Sequence, residues 1–369
     1  MCVYMSLQKT LLESPREKGG SRASNRLDYQ KNWALCKLLE LHSEKEDYLL
    51  ILDLHDDILV LNSSEKPNLA SFYQVKTNNK GFWGLSDLIK KEKKQSNGNP
   101  CSKLGKLYFN KIKFKENVKE LSFVSNAYYR VKLNDKTKKS IDQRYICIAE
   151  IQSEERDKIL QSISTELSLT KENLNDSLIF LRVCDLNLSS HTETTKGKLS
   201  DFLDEQMPKS NFKIGIIYRT LFDEIKRRTN EELDCNSFQE LLKYKAISRE
   251  GFEGILKNIS ESFSQDNWAD ILSLLNSEGF SLSEKMILKN HWERYKIEKM
   301  DPSNQVILSL KSKILKIKRQ ISNQEILTCR DLFNKFLAKF EEVKTEEENN
   351  LFNLDYLKAI ILAEYYNNE

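Results

Sequence analysis

The stretch DYQKNWALCKLLELHSEKEDYLLILDLHDDILVLNSSEKPNLASFYQVK, residues 28–76, decides the fold. In its first part Leu27, Ala34, Leu38 and Leu41 share one stripe at helical spacing, flanked by Leu35 and Leu39, which predicts a helix from about 26 to 42. Gln30 falls at the edge of that stripe, where an amide needs a partner, water or a site to line. Tyr48 to Leu54 is almost unbroken apolar, as in a short strand covered on both faces. His55-Asp56-Asp57 turns the chain, Ile58–Leu61 forms a second strand, and Ala70–Lys76 forms a third. Side chains alternate along a strand, so Gln74 and Lys76 point the same way.

Those residues, in that order, supply oxygen donors and a cation on one sheet face. Asp57 would fix a Mg²⁺ (or Mn²⁺) ion, and the Gln74 side chain or the Val75 carbonyl would add a second oxygen. Lys76 would hold or deprotonate an attacking water, and Gln30 would orient one. Asp56 shares the turn, and the sequence leaves open which of Asp56 and Asp57 faces inward. Each signal has an ordinary reading. Asp-Asp favours solvated turns, a Gln-x-Lys tripeptide is common, and Trp33, Phe72, Phe82 and Trp83 read as core or core rim. It is the order of the elements that gives the pattern weight.

The bulk composition fits a two-domain chain of 369 residues with no run long enough to span a membrane. The N-terminus lacks a signal-peptide apolar region, because Gln8, Lys9, Glu13, Arg16 and Glu17 come too early. Seven scattered cysteines without a CxxC point to reduced thiols, and four histidines show no metal-ligand spacing. These features predict a cytoplasmic protein. A net charge of +3 leaves any nucleic-acid affinity to local clusters. From Lys80 to Asn117 ten lysines stand against three acidic residues. Lys90, Lys91, Lys93, Lys94, Lys103 and Lys106 are the expected phosphate contacts there, although such a run is also the wet face of many helices. Residues 130–144 are basic again.

Along the rest of the chain, residues 14–26 read as a loop with Ser24 or Asn25 capping the first helix, and Ser86 as the cap of a second. Strands are expected near 121–124, 145–151 and 177–186, with an amphipathic helix over 154–167 between the last two. From Leu199 helical periods dominate and no strand-like alternation is convincing. The boundary is placed near 230: a nuclease-like domain over 1–230 with its core at about 24–126, then a helical region over 231–369.

The order helix, strand, Asp-Asp, strand, strand with Gln-x-Lys, basic helix resembles the restriction-endonuclease-like, PD-(D/E)xK, α/β fold. Lys18-Gly-Gly-Ser-Arg-Ala-Ser, Tyr29-Gln30, Trp33-Ala34-Leu35, His55-Asp56-Asp57-Ile58 and Tyr73-Gln74-Val75-Lys76-Thr77 are similar to the double-stranded DNA endonuclease domain of CBASS effector nucleases. That domain also serves Lamassu systems and the nuclease partners of HerA-type ATPases. The resemblance implies catalytic roles for Asp57, Gln74, Lys76 and Gln30, and cleavage of double-stranded DNA with little sequence preference in bacterial antiphage defence. The helical C-terminal region departs from the CBASS enzymes, whose cyclic-oligonucleotide sensor would be larger and less helical. The layout best resembles a Lamassu nuclease subunit, which implies an SMC-like ATPase and an accessory subunit as restraining partners and a homo-oligomer, a tetramer, as the active form. The alternatives are the nuclease partner of a HerA-type ATPase and a degenerate DNA- or protein-binding adaptor. A restriction enzyme of fixed specificity would need a base-reading module, which is not recognisable here.

Overall fold

The computed structural model describes residues 19–91, 102–208, 212–264, 268–300, 304–321, 326–344 and 352–366. The chain forms two compact units. The first takes the chain up to Leu199 together with Ile225–Arg249, and the second takes Ser200–Glu224 and the chain from Glu250 onward.

The first unit is mixed α/β. Helix α1 (Gly19–Ser43) leads into strands β1 (Leu49–Leu54), β2 (Asp56–Leu61) and β3 (Ala70–Val75). A short β4 (Phe82–Gly84), α2 (Leu85–Ile89) and α3 (Lys103–Phe114) follow, then β5 (Val118–Ser125), β6 (Tyr128–Arg130) and β7 (Tyr145–Cys147). Helix α4 (Ser153–Leu167) precedes β8 (Ile179–Val183) and α5 (His191–Gln206). Helices α6 (Ile214–Thr229) and α7 (Phe238–Tyr244) lead to β9 (Ala246–Ser248). Seven strands form one sheet in the order β7-β8-β5-β3-β2-β1-β9, and β4 and β6 form a separate parallel pair.

β1, β2 and β3 are antiparallel neighbours, whereas β3, β5 and β8 run parallel. Parallel neighbours need crossovers, and α3 and α4 lie in the two crossover segments. The two sheet faces are told apart by adjacent residues of β3. Tyr73 packs against Trp33 of α1 with ring centroids 5.2 Å apart, while Phe72 packs against Phe114 of α3 at 4.9 Å. Neighbouring residues point to opposite faces, so α1 covers one side and α3 the other. β3 is buried throughout and β5 everywhere but Lys119, although polar residues (Ser71, Gln74, Glu120, Ser122, Ser125) interrupt both strands.

Several local expectations shift. Ser24 and Asn25 lie inside α1, not at its cap. Asn25 is held there by His191 and by the Leu188 carbonyl. Gly84, not Ser86, is the N-cap of α2, with the Asp87 carboxylate accepting its N–H at 3.0 Å. That helix ends at Ile89, so Lys90 is extended and does not continue a basic helix. β9 lies in a region that reads as wholly helical from sequence. At three residues it is too short to show alternation, yet it pairs with Leu49–Ile51 of β1 and closes that sheet edge. Arg249 follows it and donates to the carbonyls of His42 and Glu46.

The second unit is helical. Besides Ser200–Glu224, which includes α6 up to Glu224, it holds α8 (Arg249–Ser264) from Glu250 on, α9 (Trp268–Ser277), α10 (Leu282–Glu298), α11 (Gln305–Gln320), α12 (Cys329–Val343) and α13 (Leu354–Tyr365). Leu275, Leu310, Phe336 and Ile361 are among the fully buried residues of its core. Among the described residues no helix is long and apolar enough to cross a membrane.

Candidate active site

The site begins where a ladder stops. β2 and β3 pair from Leu61↔Ala70 to Ile58↔Tyr73 and no further. Val75, two residues past the last pair, therefore has a backbone N–H and carbonyl without a strand partner on that side. Buried backbone groups must be satisfied, and here two side chains satisfy them. Asp57 Oδ2 accepts the Val75 N–H at 2.7 Å, and Gln30 Nε2 donates to the Val75 carbonyl at 2.8 Å. On the other side, Lys76 N donates to Val124 O of β5 at 2.9 Å, so the end of β3 stays in register.

Lys76 then reaches back to the same carboxylate, its Nζ lying 3.0 Å from Asp57 Oδ2 and 3.3 Å from Oδ1. Its side chain remains 38% exposed, against 19% for Asp57. Burial pushes the Asp57 carboxyl above its ordinary value, and the Lys76 ammonium opposes this. The structure thus brings Gln30, Asp57, Val75 and Lys76 together.

Asp56 goes elsewhere. One oxygen accepts its neighbour's N–H (Asp57, 3.0 Å) and the other accepts the Asn110 side-chain N–H from α3 at 3.1 Å. Burial, followed by the Asp57 charge, pushes its carboxyl up to about 7. The pair is split by the hairpin: Leu54 pairs with Asp56 and Leu52 with Ile58. Asp53 (φ 49°), between these pairs, and His55 (φ 63°), at the hairpin tip, occupy the left-handed region that non-glycine residues seldom adopt. Gln74 is buried at 8% exposure, and its Oε1 has no hydrogen-bond partner among the described residues. A buried carboxamide oxygen without a donor is costly unless something occupies it.

A cavity of about 210 Å³ opens beside Gln30 and Asp57, lined also by Lys31, Asp53, Ile58, Thr229 and Asn230 among others. Sequence reading missed Asp53, Lys31, Asn110 and Asn230. Asp53 was legible in principle, since a tight hairpin sets it opposite Asp57. Asn230 was not, since nothing local ties it to β2. The expected phosphate contacts are spread out. Lys90 and Lys91 are exposed after α2, Lys103 lies over the Trp83 ring at 5.5 Å, and Lys106 sits in the first turn of α3. Lys93 and Lys94 fall outside the described residues.

The oxygens brought together here are the Asp57 carboxylate and the Val75 carbonyl, while the orphaned Gln74 amide oxygen is bonded to neither Asp57 nor Lys76. That donor chemistry suits a hard divalent cation that keeps several of its own waters. Among the described residues no group of three or more His, Cys, Asp or Glu is placed to hold a metal.

Residues 18–229 match the model of the Cap4 dsDNA endonuclease domain. Over 356 residues the chain is 24% identical to the Lamassu protein LmuA of Bacillus cereus (strain VD014), covering 94% of this chain and 95% of that protein. The family match spans more than half of the 369 residues and contains the whole Gln30, Asp57, Gln74 and Lys76 cluster, and the chain belongs to the Cap4 dsDNA endonuclease family.

Proposed function

We propose that this chain is a Mg²⁺-dependent endonuclease that degrades double-stranded DNA with little sequence preference, as the effector subunit of a Lamassu-type antiphage system. The observation that carries the chemistry is the convergence of Asp57 and Lys76 on the freed end of β3. Asp57, Gln74 and the Val75 carbonyl would hold the ion. When bound, such an ion would neutralise phosphate charge and lower the pKa of the attacking water, so that its proton can pass to bulk solvent. Lys76 holds that water's oxygen and stabilises the negative charge that develops on the phosphate. Gln30 keeps the Val75 carbonyl aimed into the site. Asp56, turned toward Asn110, acts by holding the hairpin rather than by touching substrate.

The system-level reading rests on the relative that spans nearly the whole chain. A nuclease with little sequence preference would destroy its host chromosome, so partners must restrain it. An SMC-like ATPase with an accessory subunit fits that role, the second, helical unit would dock it, and release would allow assembly into a tetramer. Co-expression with the neighbouring gene products tests this. Recovery of a stable, cleavage-silent complex supports the reading, and recovery of a HerA-type ATPase instead favours the other defence assignment. A chain that binds duplex DNA without ever cutting it would be the degenerate adaptor.

A further inference from the structure

The segment RVKLNDKTKKSI, residues 130–141, was basic by sequence but without a shape. In the structure it folds into a clasp. Val131 and Leu133 turn inward, Val131 buried in the core and Leu133 packed against it and bridged to Ile151. Arg130 and Lys132 alternate with them and are exposed. The chain then reverses through a turn in which Thr137 N and Oγ1 both donate to Asp135 Oδ1. The returning arm is pinned where Val131 N donates to Ser140 Oγ at 3.2 Å. The two arms enclose a concavity of about 560 Å³ lined by Arg130, Lys132, Lys136, Lys138 and Lys139, with no carboxylate in its wall. Among the described residues only Lys138 has an acidic partner at ion-pair distance, Asp135 at 3.7 Å.

Two features separate this from a solvated charge run. The Arg130 guanidinium is stacked 3.7 Å from the centre of the Phe82 ring, which fixes its plane and leaves its N–H edge free to meet an anion. The clasp is also tied to the catalytic end of the sheet. Lys76 leaves β3 beside Val124 of β5, Asn78 and Asn126 exchange hydrogen bonds just past those strand ends, and Gly84 of β4 pairs with Arg130 of β6. Arg130 is thus linked to the end of β3 through β4 and the Asn78–Asn126 pair. Five like charges around one concavity repel one another until a polyanion covers them.

We propose that this clasp is a phosphate-backbone site for duplex DNA, gripping the strand beyond the scissile phosphate. The cations are exposed along an open arc, which suits a row of phosphodiesters better than one enclosed small anion. The inference rests on the reading of the chain as a duplex-cutting nuclease and adds where the duplex lies. The test uses the full chain with a 30-base-pair duplex of random sequence in EDTA, and measures affinity against salt by fluorescence anisotropy. The variant is Lys132→Gln/Lys136→Gln/Lys138→Gln/Lys139→Gln. The control Lys45→Gln/Lys66→Gln/Lys119→Gln/Lys158→Gln makes the same charge change at other exposed lysines. Each lost phosphate contact removes about 0.9 from the log–log salt slope, so the clasp variant should lose ~2–4 and the control almost nothing. Equal losses in both would make the effect one of bulk charge and overturn the proposal. So would an unchanged slope in the clasp variant while the parent chain binds and cuts DNA, or a loss of affinity for inorganic triphosphate alone. A parent chain that neither binds nor cuts duplex would overturn the nuclease reading itself.

Discussion

Lys76 Nζ and the Val75 N–H meet on one oxygen, Asp57 Oδ2, at 3.0 and 2.7 Å. The carboxylate is thus held by the backbone of the strand that carries the lysine, and the two groups cannot drift apart without β2 parting further from β3. Such fixation leaves little reorganisation to be done when charge develops on the substrate.

Lys76→Ala should therefore cut DNA at least about a hundredfold more slowly while melting at the parent temperature, because the side chain is partly exposed and supports no core. Single-turnover cleavage with circular dichroism melting checks both halves. A variant that cuts at the parent rate removes Lys76 from the chemistry.

Gln30 acts through Val75, so it is a positioning residue. Gln30→Ala should lower the cleavage rate by about ten- to a hundredfold with substrate affinity nearly unchanged, as expected when a reacting group is slightly misplaced. Equal loss in DNA affinity and rate would instead make it a DNA contact.

Much of this was legible in residues 28–76. The three strands, Gln30 on the helix and Lys76 at the end of β3 all follow from apolar periodicity and strand alternation. What could not be read is how β2 leaves β3. Nor could the left-handed backbone at Asp53 and His55 in the β1–β2 hairpin, for which Asp and His side chains carry only a weak preference. The same geometry divides the Asp pair, sending Asp57 to Lys76 and Asp56 to Asn110, a residue 54 positions on. Lys90 and Lys91 misled for a simpler reason: a lysine run has no intrinsic end signal, and the helix before it stops at Ile89. β9 escaped because three residues cannot display a period.

His191 joins α5 to α1, its ring nitrogens each 3.0 Å from Asn32 Nδ2 and Asn25 Oδ1. Burial lowers its pKa below the ordinary histidine value. The folded state then binds fewer protons than the unfolded state below about pH 6.5, so stability is full above that value and falls as pH drops toward the folded pKa. Urea midpoints at pH 8 and 5.5 should differ less in His191→Gln than in the parent. An identical pH dependence in both would mean that folding does not shift the His191 pKa.

Arg249 caps the chain's return to the sheet. Arg249→Ala should cost about 1–3 kcal/mol by leaving the His42 and Glu46 carbonyls without this donor, measured by urea unfolding.

Supercoiled plasmid incubated with the purified chain tests the account most directly. The parent chain should nick and linearise it with Mg²⁺, and leave it intact with EDTA. Asp57→Asn, which keeps an oxygen for the Val75 N–H and so preserves the fold, should leave it intact under both conditions. Cleavage that persists in EDTA, or in Asp57→Asn with Mg²⁺, would contradict a metal-dependent reaction centred on Asp57 and Lys76.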